Sequence, residues 1–146
     1  MTAGRDEHTA SPQQPPLLAE APANLLLMGE YAVLEPGGLG LACAPAYTTR
    51  GTFEPESPPG VTGIMGSTEL HWPGDHGILG GAADWLVQRY GMPTGRLTVD
   101  TSALYRQDGR KRGFGSSATL TVVLTALWLR LTSGNPPDQQ LVLREA

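Results

Sequence analysis

An α/β fold is what this sequence predicts, and three observations predict it. Short apolar runs bounded by glycine or proline recur along the front of the chain, which is how strands read. The segment Ile78–Tyr90 carries Leu79, Ala82, Ala83, Leu86, Val87 and Tyr90 at helical spacing. A glycine loop, Gly113–Thr119, then feeds directly into an apolar stretch that reads as a buried helix. With 146 residues, 40% of them hydrophobic, the chain can bury one real core and is not compositionally disordered.

The elements follow in order. Residues 1–18 are polar and proline-containing without periodicity and are expected to form a flexible tail. Leu25–Met28 and Ala32–Leu34 predict two strands around a bend at Gly29-Glu30. Gly40–Pro45 and Tyr47–Phe53 predict two more, the second rich in threonine, which suits a pleated surface. Glu54–Gly63 holds three prolines and two glycines and predicts a loop. The helix over Ile78–Tyr90 is stopped by Gly91. Leu97–Val99 is a short strand, and Thr119–Leu131 is the helix after the glycine loop. Ser133–Pro137 breaks that helix, and Asp138–Ala146 begins another without a stop signal.

Composition excludes several functions. A net charge of −4 and a pI near 5.2 argue against nucleic acid as a partner, and Arg110–Arg112 is too short a basic run to overturn that. No segment approaches the roughly 20 apolar residues of a membrane span. The N-terminal segment lacks a signal peptide's apolar core. Cys43 is the single cysteine, so no intrachain disulfide forms, and a cytoplasmic location is expected. Cys43 lies in an apolar run and is read as a buried structural thiol. His71 and His76 flank Asp75 in a Pro/Gly-rich loop with no third ligand, so they read as surface histidines, and no metal is assigned to them. His8 lies in the tail. Nothing in their spacing selects a catalytic base among Asp84, Asp100 and Asp108, and Asp100 before Thr101-Ser102 reads as a turn residue. Trp72, Trp85 and Trp128 are read as packing residues.

The chemistry concentrates at Gly113-Phe114-Gly115-Ser116-Ser117-Ala118-Thr119. Glycines at i and i+2 allow a tight turn and close approach of backbone to a ligand. Free N–H groups at the positive end of the following helix suit a phosphate. Ser116 and Ser117 offer oxygens to a phosphate or to Mg²⁺, which prefers hard ligands. The residues alone leave a second reading open, a plain turn with a serine N-cap. The spacing is neither that of a P-loop nor that of a dinucleotide fingerprint.

The segment Ala21-Pro22-Ala23-Asn24-Leu25-Leu26-Leu27-Met28-Gly29-Glu30-Tyr31-Ala32-Val33-Leu34-Glu35-Pro36-Gly37 resembles the first motif of the GHMP kinases. Gly109-Arg110-Lys111-Arg112-Gly113-Phe114-Gly115-Ser116-Ser117 is similar to their second, and both look most like the phosphomevalonate kinase branch, with mevalonate kinase second. The resemblance implies a mixed sheet backed by helices, similar to the ribosomal protein S5 domain 2-like fold, over residues 19–146. It further implies an ATP- and Mg²⁺-dependent small-molecule kinase that passes the γ-phosphate to phosphomevalonate or mevalonate. Gly113, Phe114, Gly115, Ser116, Ser117, Ala118 and Thr119 would bind the nucleotide, with Ser117 on the metal. Lys111 would neutralise charge, Glu30 would organise the cleft, and Asn24 and Tyr31 would face the acceptor. Plainer readings stay open: a solvated Lys111, a bend carboxylate at Glu30, core packing at Tyr31.

One departure stands out. Asn24 occupies the position of the family's first-motif lysine, and an uncharged amide cannot replace a cation beside a dianion. The resemblance also implies that the family's third motif lies in a C-terminal half absent from this sequence, and that the acidic Mg²⁺ ligand and catalytic aspartate come after the glycine-loop helix, shortly after Ala146. The chain is therefore expected to be an incomplete kinase, inactive alone, whose partners are ATP, a small-molecule acceptor and that missing domain. A homodimer is left open. Competing readings are a sugar- or homoserine-type GHMP kinase, a non-catalytic nucleotide-binding module, and an inert fragment with exposed apolar surface.

Overall fold

The computed structural model describes residues 17–146. Seven strands and three helices follow one another: β1 (Leu17–Pro22), β2 (Leu25–Met28), β3 (Leu41–Cys43), β4 (Thr48–Glu54), β5 (Gly60–Met65), β6 (Thr68–Trp72), α1 (Ile78–Tyr90), β7 (Arg96–Asp100), α2 (Ser116–Ser133) and α3 (Gln139–Glu145). Five strands form one sheet in the order β1-β4-β7-β5-β6, and β2 pairs with β3 in a separate two-stranded ribbon. Only β5 and β7 run parallel; the other neighbours are antiparallel, so the sheet is mixed as expected.

Alternation along the strands puts Val61, Leu97 and Val99 on the face that α1 and α2 cover. There they meet Leu79, Ala83 and Leu86 of α1 and Leu120, Val123, Leu124 and Leu127 of α2. Trp128 is fully buried in this layer, and its indole N–H donates to Gly91 O (2.9 Å), the carbonyl just beyond α1. Gly51 lets α2 approach: a Cβ there would lie 2.5 Å from both Leu127 and Val123.

Several expectations need correction. Ala32–Leu34 is a 3₁₀ turn, not a strand, because Val33 N–H bonds back to Gly29 O (3.0 Å) and Leu34 N–H to Tyr31 O (3.2 Å). The loop expected over Glu54–Gly63 ends early, since β5 begins at Gly60. Glycine suits that strand because a Cβ at Gly63 would press on Leu79 at 3.1 Å. Leu17 and Leu18, assigned to the tail, open β1; the rest of that tail, 1–16, lies outside the described residues. Trp85 is 41% exposed and packs edge-on against Tyr90, with ring centroids 6.3 Å apart, so it is a packing residue outside the buried core. Cys43 is exposed rather than buried, because no element packs extensively on the β2–β3 ribbon among the described residues.

Candidate functional site

The glycine loop and the start of β2 meet at the N-terminus of α2. Asn24 N–H donates to Phe114 O (3.1 Å), and a Cβ on Gly115 would sit 3.3 Å from Asn24 O. Two segments far apart in the sequence are thereby joined. Gly113 and Gly115 have φ of +80° and +74°, the left-handed region that glycine adopts without strain. Gly115 itself is the N-cap of α2 and brings no side chain to the cap, so the serine-cap reading does not hold.

The consequence is a row of open donors. From Gly113 to Ala118 no backbone N–H is bonded to an acceptor among the described residues; the helix ladder starts with Thr119 N–H on Gly115 O (3.0 Å). Unpaired donors at a helix N-terminus, with partial positive charge, are suited to phosphate oxygens. The half-buried Ser116 and Ser117 sit in the first turn. Their hydroxyls fit a hard cation only as partial donors, because Mg²⁺ ordinarily also takes carboxylate, phosphate or water oxygens. Among the described residues no cluster of three His, Cys, Asp or Glu could hold a metal.

The loop is braced from behind. Thr119 is buried, and its hydroxyl lies 2.7 Å from that of Thr49 on β4. Thr119 Oγ1 also lies 3.2 Å from Ser116 O and 3.3 Å from Gly115 O, carbonyls of the preceding turn. Thr119 therefore ties the start of α2 to β4. The Phe114 ring stacks on Tyr47 with centroids 5.4 Å apart. Phe114 thus anchors the loop through its ring and through its carbonyl to Asn24.

The basic run divides its work. Arg112 lies 4.7 Å over the Tyr47 ring, and its Nε donates to Tyr105 O (3.0 Å). Arg110 approaches Asp108 (3.9 Å), whose carboxylate also accepts from Arg110 N–H (3.0 Å). Lys111 is exposed on the arm that bridges to Tyr105 and has no ion pair among the described residues. Glu30 and Tyr31 are exposed in the turn after β2, Tyr31 at 79%, and neither side chain hydrogen-bonds to the loop among the described residues. Sequence reading missed Tyr47 and Thr49, because a partner seventy positions away in the chain leaves no local signal.

The other polar residues take structural parts. Asp100 Oδ1 accepts from Ser102 N–H (2.8 Å), the turn role expected of it. Asp84 accepts from the Trp72 indole (2.8 Å). At the far end of the helical layer the Tyr90 hydroxyl donates to Glu145 (2.8 Å), which Arg89 also meets at 2.9 Å. Tyr90 first, and the arginines with it, hold the Glu145 carboxyl below its ordinary value.

Comparison with known proteins bears on the fold. No family model and no curated protein sequence matches the chain. Solved structures do. Phosphomevalonate kinase of Streptococcus pneumoniae, in complex with phosphomevalonate and AMPPNP, superimposes with a TM-score of 0.71 at 20% identity, over 88% of this chain and 40% of that one. Mevalonate kinase of Methanococcus jannaschii gives 0.55 at 17% identity, over 92% and 48%. A D-glycero-D-manno-heptose 1-phosphate kinase of Bacteroides thetaiotaomicron gives 0.61 at 16% identity, over 87% and 45%. The fold is that of part of a GHMP kinase. This chain spans less than half the length of each of these similar structures. Among its described residues no helix is long and apolar enough to cross a membrane.

Proposed function

We propose that the chain is the nucleotide-binding part of an ATP-dependent small-molecule kinase whose acceptor is phosphomevalonate, with mevalonate second. The observation that supports this most is the docking of Asn24 onto the Gly113–Thr119 loop, which brings both motif segments to one helix N-terminus whose donors are open. In this reading the N–H groups from Gly113 to Ala118 hold the β- and γ-phosphates, and Ser116 adds a hydroxyl. Ser117 offers its oxygen to Mg²⁺. Lys111, with no ion pair among the described residues, swings over the loop to neutralise charge. Glu30 and Tyr31 would come to the cleft only with a covering domain. Bound ATP would supply the transferred phosphoryl group, and the chain's own part is positioning and charge neutralisation.

That covering domain is the second component of the proposal. Leu26, Leu27, Met28, Tyr31, Val33, Leu34, Leu39 and Leu41 are all exposed on the ribbon and its turn. A two-stranded ribbon with so much bare apolar surface is marginal in water unless something packs on it. A C-terminal kinase domain is the partner that fits, and the chain without it binds nucleotide but does not turn over.

The test is calorimetric titration of the purified chain with AMPPNP and Mg²⁺. Saturable binding that Gly115→Val abolishes is expected, because Cβ atoms are strained at φ +74° and crowd Asn24 O. Absence of binding by the folded chain would remove the nucleotide reading.

A further inference from the structure

Tyr47, the residue just before β4, meets the glycine loop on both sides of Gly113. The Phe114 ring stacks on it with centroids 5.4 Å and planes 28° apart, and the Arg112 guanidinium lies 4.7 Å from the same ring's centre. Stacked rings and a guanidinium over a ring are both attractive arrangements. One ring thus holds residues i and i+2 of the loop. Gly113 between them is exposed, has φ +80° and brings no side chain with which to fix itself. Two residues beyond Tyr47, the Thr49 hydroxyl lies 2.7 Å from that of Thr119. The short segment from Tyr47 to Thr49 therefore grips both ends of the row of open N–H groups.

The parts of this clasp are fixed from outside it. Ala23 N–H donates to Tyr47 O (2.7 Å), and the next amide, Asn24 N–H, donates to Phe114 O (3.1 Å). Arg112 N–H donates to Leu104 O (3.0 Å), a carbonyl of a fully buried residue, and Arg112 Nε donates to Tyr105 O (3.0 Å). The Tyr47, Arg112 and Phe114 side chains are all half-buried. The Tyr47 hydroxyl has no hydrogen-bond partner among the described residues, so the ring makes the contacts. Gly113 and Gly115 give the loop more backbone freedom than any other residue type would. A loop that must be ordered as it binds loses affinity, and one ordered beforehand does not. The ring of Tyr47 is what orders this one.

We propose that Tyr47 is a positioning residue for the phosphate loop. With Arg112 and Phe114 against its ring, it holds Gly113 in the left-handed conformation before any ligand arrives, so the open donors need no reordering. The inference rests on the nucleotide reading above and adds the residue that preorganises the loop. Arg112 belongs to the clasp, which separates its part from that of the exposed Lys111.

Two readouts test the clasp, one with ligand and one without. In calorimetric titration with AMPPNP and Mg²⁺, Tyr47→Leu is expected to weaken binding about tenfold. Tyr47→Phe keeps the ring and is expected to bind within about twofold of the unsubstituted chain. Gly51→Ala crowds Leu127 and Val123 instead of the loop, and serves as the control for lost stability. It is expected to lower the melting temperature and leave AMPPNP affinity unchanged while the chain is folded. Without ligand, initial tryptic cleavage after Arg112 is compared with cleavage after Arg130 inside α2, which reports general unfolding. That ratio is expected to rise about fivefold in Tyr47→Leu and to stay level in Tyr47→Phe and Gly51→Ala. Should Tyr47→Leu fail to fold, Arg112→Lys keeps the charge and the tryptic site but gives up the planar stack; about threefold weaker AMPPNP binding is expected. Unchanged affinity in Tyr47→Leu or Arg112→Lys, an unchanged tryptic ratio in Tyr47→Leu, or equal loss in Tyr47→Phe and Tyr47→Leu overturns the positioning role. Each of these leaves the nucleotide reading standing. No AMPPNP binding by the unsubstituted chain overturns both, and so marks the failure of that reading.

Discussion

At the scale of the residue, Ser117 and Asn24 divide the chemistry between what a hydroxyl can do and what a missing charge cannot. Ser117 stands in the first turn of α2, half-buried, among backbone donors without acceptors. If its oxygen holds Mg²⁺, Ser117→Ala is expected to erase most of the Mg²⁺ dependence of AMPPNP affinity, about tenfold, with unchanged circular dichroism. An identical Mg²⁺ dependence in the variant would refute the assignment. Asn24 is held by its backbone, so its side chain can be exchanged without losing the link to Phe114 O. Asn24→Lys is expected to tighten AMPPNP by adding a cation next to the phosphates, an effect that should shrink as salt rises. The motif residues themselves were readable from sequence because glycine and serine at fixed short spacing announce a tight loop. Tyr47 and Thr49 were not, since their importance comes only from the loop and helix they meet.

At the scale of the element, α2 is positioned by two contacts on β4. The Thr49 and Thr119 hydroxyls share a hydrogen bond, and Gly51 admits Leu127 and Val123. Thr119→Val would leave a buried hydroxyl on Thr49 unpaired and is expected to cost about 1–3 kcal/mol in urea unfolding. The double variant with Thr49→Val should recover most of that, since neither group then lacks a partner. Gly51→Ala forces a methyl to within 2.5 Å of two side-chain carbons and is expected to cost about 1–3 kcal/mol by overpacking. α3 depends on a different device. Because Tyr90 and the arginines depress the Glu145 pKa, this contribution is complete above the ordinary glutamate value of about 4.3 and fades as the pH falls through the lower folded value. The hydrogen-exchange protection factors over Gln139–Glu145, corrected for the intrinsic pH dependence of exchange, should therefore fall on acidification, and Glu145→Gln should remove that pH dependence. The strong helices α1 and α2 were legible from their period, whereas β1, β5 and β6 were not. β5 in particular carries Gly60 and Gly63, which read as loop; a Cβ would meet Trp72 O at Gly60 (3.0 Å) and the Leu79 side chain at Gly63 (3.1 Å).

At the scale of the whole molecule, the five-stranded sheet with its helices is a finished core, and the β2–β3 ribbon is not. Its exposed leucines should bind a hydrophobic dye such as ANS. Leu34→Glu with Leu39→Glu, exposed at 75% and 86%, is expected to reduce dye binding sharply while changing stability by less than about 0.5 kcal/mol per site. If the dye signal persists, the apolar surface lies elsewhere. The amino-acid sequence by itself determined the α/β class, the two long helices with their glycine stops and the tight glycine loop before α2, because periodicity, caps and glycine conformations are local properties. Only the tertiary structure decided that Cys43 is exposed, that Thr119 faces β4, and that Tyr47 meets both Arg112 and Phe114. Those outcomes depend on strand register and on which surfaces find a covering layer, and both come from pairings between residues far apart in the chain.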